Sequence, residues 1–309
     1  MSAVGVVGVV GLGAMGGRIT GRLLDAGHEV HATNRTRAKA EKLIERGLRW
    51  AATARAVADA AEVVFSMVTD DAALAAVTGG PDGILAGLGP GKVYVDMSTV
   101  SPTASLEVAE RVRALGSRML DAPVSGSVPQ AEQGRLAIMV GGNEAAFRRV
   151  EPLLAELGST VTHVGGNGNG LTLKLAINIS LAVQTLAFSE GLLLAEHSGI
   201  DPRLAAQVMS SSPIGSPMLT ARVPLLLHLP PQAWFNIQLM RKDIQLALQE
   251  ARRLQVPLPS ATTADDMLAR ASELGYARRD IAALHQVLAQ LDTTPSSQPA
   301  HDHATSGAS

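Results

Sequence analysis

The sequence predicts an α/β fold, in which a Rossmann-like, doubly wound and mainly parallel sheet is followed by an all-α C-terminal region. Two observations predict it. Short apolar runs alternate with helical periods up to about residue 166, and no strand pattern follows that point. A glycine-rich turn also follows the first apolar run and opens a helical period, as in doubly wound sheets that bind ligands.

The predicted strands of the first half are short apolar runs, which is typical of parallel strands buried on both faces. We predict these strands at 4–10, 28–33, 62–67, 92–97, 118–121, 135–140 and 160–164. The helices between them are predicted at 14–26, 36–46, 101–115 and 144–157. Ser101 and Pro102 suit the N-cap and the first position of the third of these helices.

A cluster of glycines and asparagines at 165–170 marks a boundary, because such residues favour loops. Beyond it we predict helices at 171–197, 201–209, 217–227, 241–254, 260–274 and 280–291. The chain is therefore divided into a sheet domain over 1–166 and an all-α domain over 167–292 that begins with one long helix. The segment 293–309 is rich in Ser, Thr, Pro and His, and we predict that it is a disordered tail.

Composition excludes several classes of protein. With 46% hydrophobic and 17% charged residues, the chain can bury a large core. A net charge of −2 gives no reason to expect a nucleic-acid partner. The lack of cysteine excludes disulfides, cysteine nucleophiles and thiolate metal sites, and the histidines share no ligand spacing, so we expect no metal.

The most apolar long segment, 171–195, carries Lys174, Asn178, Gln184 and Glu190. A membrane span tolerates few such side chains, so a buried helix is the better interpretation. No positively charged segment precedes the first strand, which makes a signal peptide a poor interpretation. We therefore expect a cytoplasmic protein without a membrane partner.

The glycine-rich turn has the pattern of a dinucleotide site and comprises Gly11, Leu12, Gly13, Ala14, Met15 and Gly16. The first glycine permits the tight turn, the second lets the backbone approach a pyrophosphate, and the third lets helix and strand pack closely. The N-terminus of the following helix offers N–H groups and partial positive charge to phosphates. The alternative is a glycine-rich turn that binds nothing.

The end of the second strand indicates which nicotinamide cofactor is preferred. Sites for NAD usually place Asp or Glu there, whereas this chain has Asn34, Arg35 and Thr36. Arg35 can attract and bond a 2′-phosphate, and its neighbours can add neutral hydrogen bonds. The turn and this stretch therefore predict an NADP(H)-binding domain, unless Arg35 is only a solvated residue at a strand end.

Lys174 and Asn178 lie one helical turn apart on the long apolar helix, so their side chains share a face. Burial lowers the pKa of a lysine, which suits proton transfer near neutral pH. Hydride addition to a carbonyl requires a proton on the oxygen, and Lys174 can supply it while Asn178 holds the amine or the substrate. The alternative is a lysine that reaches the surface.

Two further segments are candidates for the site. Ser125, Gly126 and Ser127 come just after a predicted strand, where open α/β sheets bind ligands, and could hold a substrate carboxylate. An ordinary turn explains this stretch equally well. Lys242 and Asp243 precede an apolar helical run and, taken alone, could form an exposed ion pair.

At these residues the sequence resembles the β-hydroxyacid dehydrogenase family, which acts on 3-hydroxyisobutyrate, tartronate semialdehyde, glyoxylate and succinic semialdehyde. The resemblance runs from residue 4 to about 291. The stretches that carry it are 11–16, 96–99, 121–127, 166–178 and 242–243. It implies an NAD(P)-dependent oxidoreductase acting on CH–OH groups, with a helical domain like that of 6-phosphogluconate dehydrogenase.

The resemblance also implies roles for individual residues. Lys174 would be the acid/base assisted by Asn178, and Ser125 and Gly126 would meet the substrate carboxylate. Thr99 would lie beside the nicotinamide and Lys242 near the cofactor. Family members commonly associate through the helical domain, which implies a homodimer or homotetramer.

One departure affects the substrate, because Ser127 stands where the family often has glycine. Residues 34–36 and 123–127 look most like the glyoxylate/succinic semialdehyde reductases, and residues 139–142 like the hydroxyisobutyrate enzymes. Two alternatives remain. Imine reductases share the Asn-Arg-Thr stretch but usually lack a lysine at the position of Lys174. A catalytically silent dinucleotide-binding scaffold is the other, and Lys174, Ser125 and Asn178 argue against it.

Overall fold

The computed structural model describes residues 5–292 of the chain. The predicted disordered tail over 293–309 lies outside the described residues. Within the described range the strands are β1 (Val7–Val10), β2 (Val30–Thr33), β3 (Arg49–Trp50), β4 (Val63–Ser66), β5 (Val93–Asp96), β6 (Arg118–Asp121), β7 (Val124–Ser125), β8 (Leu136–Gly142) and β9 (Gly158–Gly165).

Helices alternate with these strands and then replace them. Those of the first half are α1 (Ala14–Asp25), α2 (Glu41–Ile44), α3 (Ala54–Ala60), α4 (Asp71–Thr78), α5 (Ile84–Gly87), α6 (Pro102–Ala114), α7 (Val128–Glu132) and α8 (Glu144–Leu157). Those of the second half are α9 (Asn169–His197), α10 (Pro202–Ser211), α11 (Pro217–Leu227), α12 (Ile237–Leu254), α13 (Pro259–Glu273) and α14 (Leu284–Asp292). Short 3₁₀ turns at Arg37–Ala40 and Ile281–Ala283 precede α2 and α14.

The strands form one sheet in the order β3-β2-β1-β4-β5-β6-β8-β7, with β9 also paired to β8. All pairs from β3 to β6 are parallel, whereas β8 runs antiparallel to β6 and β7. The chain leaves β1 toward β2 on one side and returns to β4 on the other. The carboxyl ends of β1 and β4 therefore border a crevice of the kind that binds ligands in such sheets.

Apolar clusters cover both faces of the sheet. One cluster joins Val9, Phe65 and Leu120 to α1 and α8, and the other joins Val64 and Tyr94 to α3, α5 and α6. Because both faces are buried, the central strands are uniformly apolar rather than alternating.

The helical half is organised around α9, which packs against α10, α12, α13 and α14 and also contacts β8 and β9. The apolar cluster among α9, α12 and α13 includes Leu186, Ile244 and Leu268. Helix α9 is long and apolar enough, by length and composition, to cross a membrane. A central helix of a packed helical core has the same composition, because its neighbours are apolar on several sides.

The predicted fold class is confirmed: a mainly parallel sheet flanked by helices precedes an all-helical region. The predicted bounds of β6, α8 and α11 are those observed. The helix predicted at 36–46 is shorter and partly 3₁₀, because most side chains of this stretch are exposed and few apolar contacts hold it. Strands β3 and β7 were not predicted, because two residues are too few to show a periodicity.

Candidate active site

The turn after β1 needs glycine at two positions for its own folding. Gly11 has φ +99°, and a Cβ there would lie 2.4 Å from the carbonyl oxygen of Met67. A Cβ on Gly16 would lie 2.0 Å from the carbonyl oxygen of Gly11. A Cβ on Gly13 would meet no protein atom within 4 Å. Gly13 therefore leaves space that the fold itself does not use.

The start of α1 is suited to an anion. Its N-cap, Gly13, provides no side-chain cap, and its first turn contains no acidic residue. The N–H groups and the positive end of the helix dipole therefore remain available to phosphate oxygens beside Ala14 and Met15. Together with the open space at Gly13, these features fit the pyrophosphate of a dinucleotide.

The stretch after β2 is tied to this turn. The backbone N–H of Leu12 donates to Asn34 Oδ1 at 3.0 Å, and Asn34 Nδ2 donates to the carbonyl of Thr36 at 2.9 Å. The Leu12 side chain is buried in the core, whereas Arg35 and Thr36 are exposed. Asn34 thus fixes the backbone of the turn, and Arg35 is the side chain of this stretch that can reach a phosphate from solvent.

A cavity of about 320 Å³ lies where the sheet meets the helical half. It brings together seven of the predicted residues from both halves of the chain: Met15, Thr99, Ser125, Gly126, Ser127, Lys174 and Asn178. Its other walls are mainly apolar and come from Met67, Val124, Gln130, Leu181, Pro217, Met218, Ala221, Arg222, Trp234, Phe235 and Asp243. Asn34, Arg35, Thr36 and Lys242 do not line it.

A chain of polar contacts begins at the predicted acid/base. Lys174 Nζ donates to Asn178 Oδ1 at 2.9 Å, and Asn178 Nδ2 donates to Asp243 Oδ2 at 2.6 Å. The other oxygen of Asp243 lies 2.7 Å from Lys242 Nζ. Asn178 and Asp243 are buried, and Lys174 is half-buried at the cavity wall. The amide therefore separates Lys174 from the only carboxylate in this chain of contacts.

Burial lowers the pKa of Lys174 to about 8, because the surrounding protein replaces the water that would solvate the ammonium. The negative charge of Asp243 opposes this shift, and the positive charge of Lys242 adds to it. Burial also raises the pKa of Asp243, although Lys242 and Lys174 favour its ionised form. Lys174 can consequently gain and lose a proton near neutral pH.

Lys242 connects the two halves next to the cavity. Its amine donates to the backbone carbonyl of Thr99, in the loop after β5, and pairs with Asp243 on its own helix α12. Lys242 therefore holds the loop after β5 against the helical half. Lys242 itself does not line the cavity, but its partner Thr99 does. The predicted position of Lys242 near the cofactor therefore depends on this contact with Thr99.

The stretch after β6 forms another wall of the cavity. Ser125 ends β7 and is half-buried, and Gly126 is exposed with φ +133°. The backbone N–H and the hydroxyl of Ser127 both donate to Gln130 Oε1, at 3.0 and 2.7 Å. The Ser127 side chain is thus held at the start of α7, which leaves Ser125 as the less constrained hydroxyl.

Two charged residues of the cavity were not predicted as site residues. The sequence alone left Asp243 as one half of an ion pair that could be exposed, whereas it lies among Met240, Ile244 and Ala247 on the buried face of α12. The position of a carboxylate among apolar residues on one helix face was the sequence signal that could have revealed the burial of Asp243. Arg222 is buried on α11 and pairs with Asp280 Oδ1 at 3.0 Å, a contact between distant residues that no sequence spacing indicates.

No group of three or more His, Asp or Glu side chains that could hold a metal occurs within residues 5–292.

Two family models match consecutive parts of the chain. Residues 6–165 match the NAD-binding domain of 6-phosphogluconate dehydrogenase, and residues 168–288 match the NAD-binding domain of NADP-dependent 3-hydroxyisobutyrate dehydrogenase. The 2-hydroxy-3-oxopropionate reductase of Escherichia coli K12 is 38% identical over 282 residues, which cover 91% of this chain and 96% of that protein.

Two solved structures share the whole architecture. A 3-hydroxyisobutyrate dehydrogenase from Salmonella typhimurium superposes with a TM-score of 0.84 at 30% identity, covering 92% of this chain and 99% of that one. The protein Psf3, solved in complex with NADP⁺ and 2-OPP, has a TM-score of 0.84 at 28% identity and covers 91% of this chain and 99% of its own.

Proposed function

The chain belongs to the β-hydroxyacid dehydrogenase family of nicotinamide-dependent oxidoreductases, and from this premise we propose that it transfers a hydride between NADP(H) and a small hydroxy acid or semialdehyde. The observation that carries the proposal is the half-buried Lys174 amine, which faces a cavity that Thr99 and Met15 line from the nucleotide side. The name of the Escherichia coli relative supports the substrate class.

In this proposal Lys174 is the general acid/base. The cofactor, when bound, supplies or accepts the hydride. For reduction, the protonated amine donates a proton from Nζ to the substrate oxygen, and for oxidation the neutral amine takes the hydroxyl proton. The amine keeps its place because it donates to Asn178 Oδ1, and Asn178 is held in turn by Asp243.

The substrate carboxylate would bind at the wall formed by Ser125, Gly126 and Ser127. The Ser125 hydroxyl can donate to a carboxylate oxygen, and the backbone N–H groups beside Gly126 can supply further donors. A carboxylate held there would place the carbonyl or hydroxyl carbon inside the cavity that Lys174 faces. The Ser127 hydroxyl, which already donates to Gln130 Oε1, would line the pocket without altering the contact between Ser125 and the carboxylate.

We propose a preference for NADP(H) over NAD(H) that depends on Arg35. The stretch after β2 carries no carboxylate to repel a 2′-phosphate, and Asn34 holds its backbone against the glycine turn. An exposed guanidinium at this place can pair with a phosphate through two N–H groups. The NADP⁺ complex of Psf3 supports the proposal by analogy.

We further propose a division into an NADP-binding domain over 1–166 and a substrate and oligomerisation domain over 167–292, in a cytoplasmic homodimer or homotetramer. Large apolar side chains at the far end of the helical half are exposed, including Leu194 at 72%, Val208 at 58% and Ile214 at 78%. Exposed apolar surface that becomes buried between subunits stabilises an oligomer. Light scattering coupled to gel filtration would give the subunit count, and a monomer would contradict the proposed homodimer or homotetramer.

A cofactor-consumption screen tests the function. Wild-type protein is assayed with NADPH and NADH against glyoxylate, succinic semialdehyde, 2-hydroxy-3-oxopropionate and cyclic imines, and with NADP⁺ against 3-hydroxyisobutyrate. We expect turnover of at least one aldehyde acid or hydroxy acid, with NADP(H) preferred. Turnover of imines alone would favour an imine reductase, and cofactor binding without any turnover would favour a silent scaffold.

A further inference from the structure

Asp121 ends strand β6, and its carboxylate is buried beneath the start of α9. Oδ1 accepts the backbone N–H of Gly168 at 2.8 Å, and Oδ2 accepts the backbone N–H of Leu171 at 3.1 Å. Asn167 Nδ2 lies 3.5 Å from Oδ1 and donates to the carbonyl of Met119 at 2.9 Å. One side chain of the sheet thus accepts two N–H groups at the start of the long helix, one from the N-cap residue Gly168 and one from Leu171 in the first turn.

These contacts replace a local helix cap. The N-cap of α9 is Gly168, which has φ +88° and no side chain to cap the helix. Most caps come from the N-cap residue itself, which fixes the helix end without fixing its position in the fold. Here the cap comes from Asp121, 47 residues earlier, so the same bonds also set where α9 begins relative to the sheet. The negative charge also faces the positive end of the helix dipole.

The backbone packed around the Asp121 carboxylate leaves it little room to move. A Cβ on Gly141 would lie 2.7 Å from both Asp121 carboxylate oxygens, and a Cβ on Gly170 would lie 2.9 Å from Oδ2. Strand β8 and helix α9 therefore come so close to the carboxylate that neither Gly141 nor Gly170 has space for a side chain. Burial raises the pKa of Asp121 to about 6, and the two N–H donors oppose that shift, so the anion is the main form at neutral pH.

The contact between Asp121 and the start of α9 matters because the chain runs from it to two walls of the cavity, those of Lys174 and Ser125. Lys174 follows Leu171 by three residues, which is about one helical turn. Ser125 follows Asp121 by four residues and ends β7. We propose that Asp121 is a positioning residue that sets the placement of the Lys174 amine relative to the Ser125 wall of the cavity. This inference rests on the proposed function of Lys174.

The first test is Asp121→Asn, which keeps the size of the side chain but replaces one accepting oxygen by an NH₂ group that faces a backbone N–H. We expect kcat to fall about tenfold or more, since misplacing a catalytic group by about 1 Å can cost 10²-fold. The Kd of NADPH should stay within about twofold, because the glycine turn lies elsewhere in the fold.

Asp201→Asn is the matched control. Asp201 caps α10 through the N–H groups of Arg203 and Leu204, at 2.9 and 3.0 Å, and Asp201 does not line the cavity. We expect this variant to keep kcat. If Asp121→Asn lowered the melting temperature but kept kcat within about twofold, Asp121 would be a helix cap only and the inference would be wrong.

A second readout does not depend on turnover. The chain has five lysines, at 39, 42, 92, 174 and 242, so their ¹³C-dimethylated amines can be resolved by NMR and the Lys174 signal assigned with Lys174→Arg. Loosening the first turn of α9 should admit water to the amine. We therefore expect the pKa of Lys174 to rise from about 8 toward the ordinary lysine value in Asp121→Asn, and to stay unchanged in Asp201→Asn.

The outcomes separate this inference from the proposed function. If the wild type turned over no substrate, the function would fail, and the Lys174 titration would still decide the positioning role. If Lys174→Ala were inactive while Asp121→Asn kept both its kcat and its Lys174 titration, only the positioning role would fail. Should Asp121→Asn not fold, Asn167→Ala, which removes the amide beside Asp121, is expected to shift both readouts in the same direction by a smaller amount.

Discussion

The two ends of the proposed active site use opposite physical means. At the nucleotide end, binding would depend on backbone and on exposed groups: open space at Gly13, an uncapped helix N-terminus and the exposed Arg35. At the chemical end, catalysis would depend on side chains largely withdrawn from water, namely the half-buried Lys174 beside the buried Asn178 and Asp243.

The comparison shows what burial contributes to phosphate recognition and to acid/base chemistry. Recognition of phosphate needs strong donors and positive charge, which exposed groups and a helix end supply without any change in their proton affinity. Acid/base chemistry needs a pKa near the working pH, and desolvation is the main cause that lowers the pKa of Lys174 toward that range. Changes at the two ends should therefore alter different measured quantities.

The largest expected effect comes from removing the amine at the chemical end. Lys174→Ala should lower kcat by about two to four powers of ten, the usual contribution of a general acid/base. The Kd of NADPH should change little. The measurement is steady-state turnover together with cofactor titration, and Lys39→Ala, on the exposed stretch before α2, is the matched control. Near-normal turnover of Lys174→Ala would reject the assignment.

The next effect belongs to the nucleotide end. Arg35→Ala should weaken NADPH binding by roughly 10- to 100-fold, which corresponds to a charge-assisted hydrogen bond of about 1.5–3 kcal/mol. NADH binding should be nearly unchanged, because it has no 2′-phosphate, and kcat at saturating cofactor should also persist. Arg49→Ala, which removes another exposed cation, should leave the ratio of the two Kd values unchanged. Equal weakening of both cofactors would contradict the proposed NADP preference.

A smaller effect tests whether the space at Gly13 is used by a ligand. Gly13→Ala should fold with unchanged stability, since its Cβ meets no protein atom, yet should weaken cofactor binding about tenfold by the loss of about one phosphate contact. Gly17→Ala places its Cβ 3.7 Å from the carbonyl oxygen of Leu12 and should leave the Kd unaltered. Thermal unfolding and cofactor titration decide the matter, and equal Kd values for the two variants would show that no ligand approaches Gly13.

The smallest expected effect is a shift of the pH profile at the chemical end. Reduction requires protonated Lys174, so kcat should fall as the pH rises through about 8, and oxidation should rise over the same range. Asp243→Asn removes a charge that raises the pKa of Lys174, so both profiles should move to lower pH, by less than about one unit. Profiles that stay in place or move to higher pH would mean that Asp243 does not act on Lys174.

The sequence indicated the local features of both ends because each depends on neighbouring residues. The turn at 11–16 can be recognised from its glycine spacing between a strand and a helix, and a lysine followed by an asparagine one turn later places both on one helix face. The same reasoning predicted the strands long enough to be apolar throughout. It missed the short strands β3 and β7 and the short helices α3, α4, α5 and α7, and it left open whether Asp243 is exposed, because adjacent charges in sequence do not identify the distant groups that surround them.

By itself, the sequence determined the fold class, the nucleotide turn and the pair Lys174–Asn178, since these follow from local spacing and periodicity. Only the tertiary structure decided that Asp243 joins that pair, that Arg222 meets Asp280, and that Asp121 caps a helix 47 residues later. The physical reason is that pKa values and caps across the fold depend on which distant groups share a buried volume. That sharing is set by packing, and the spacing of residues along the chain does not show which distant partners meet.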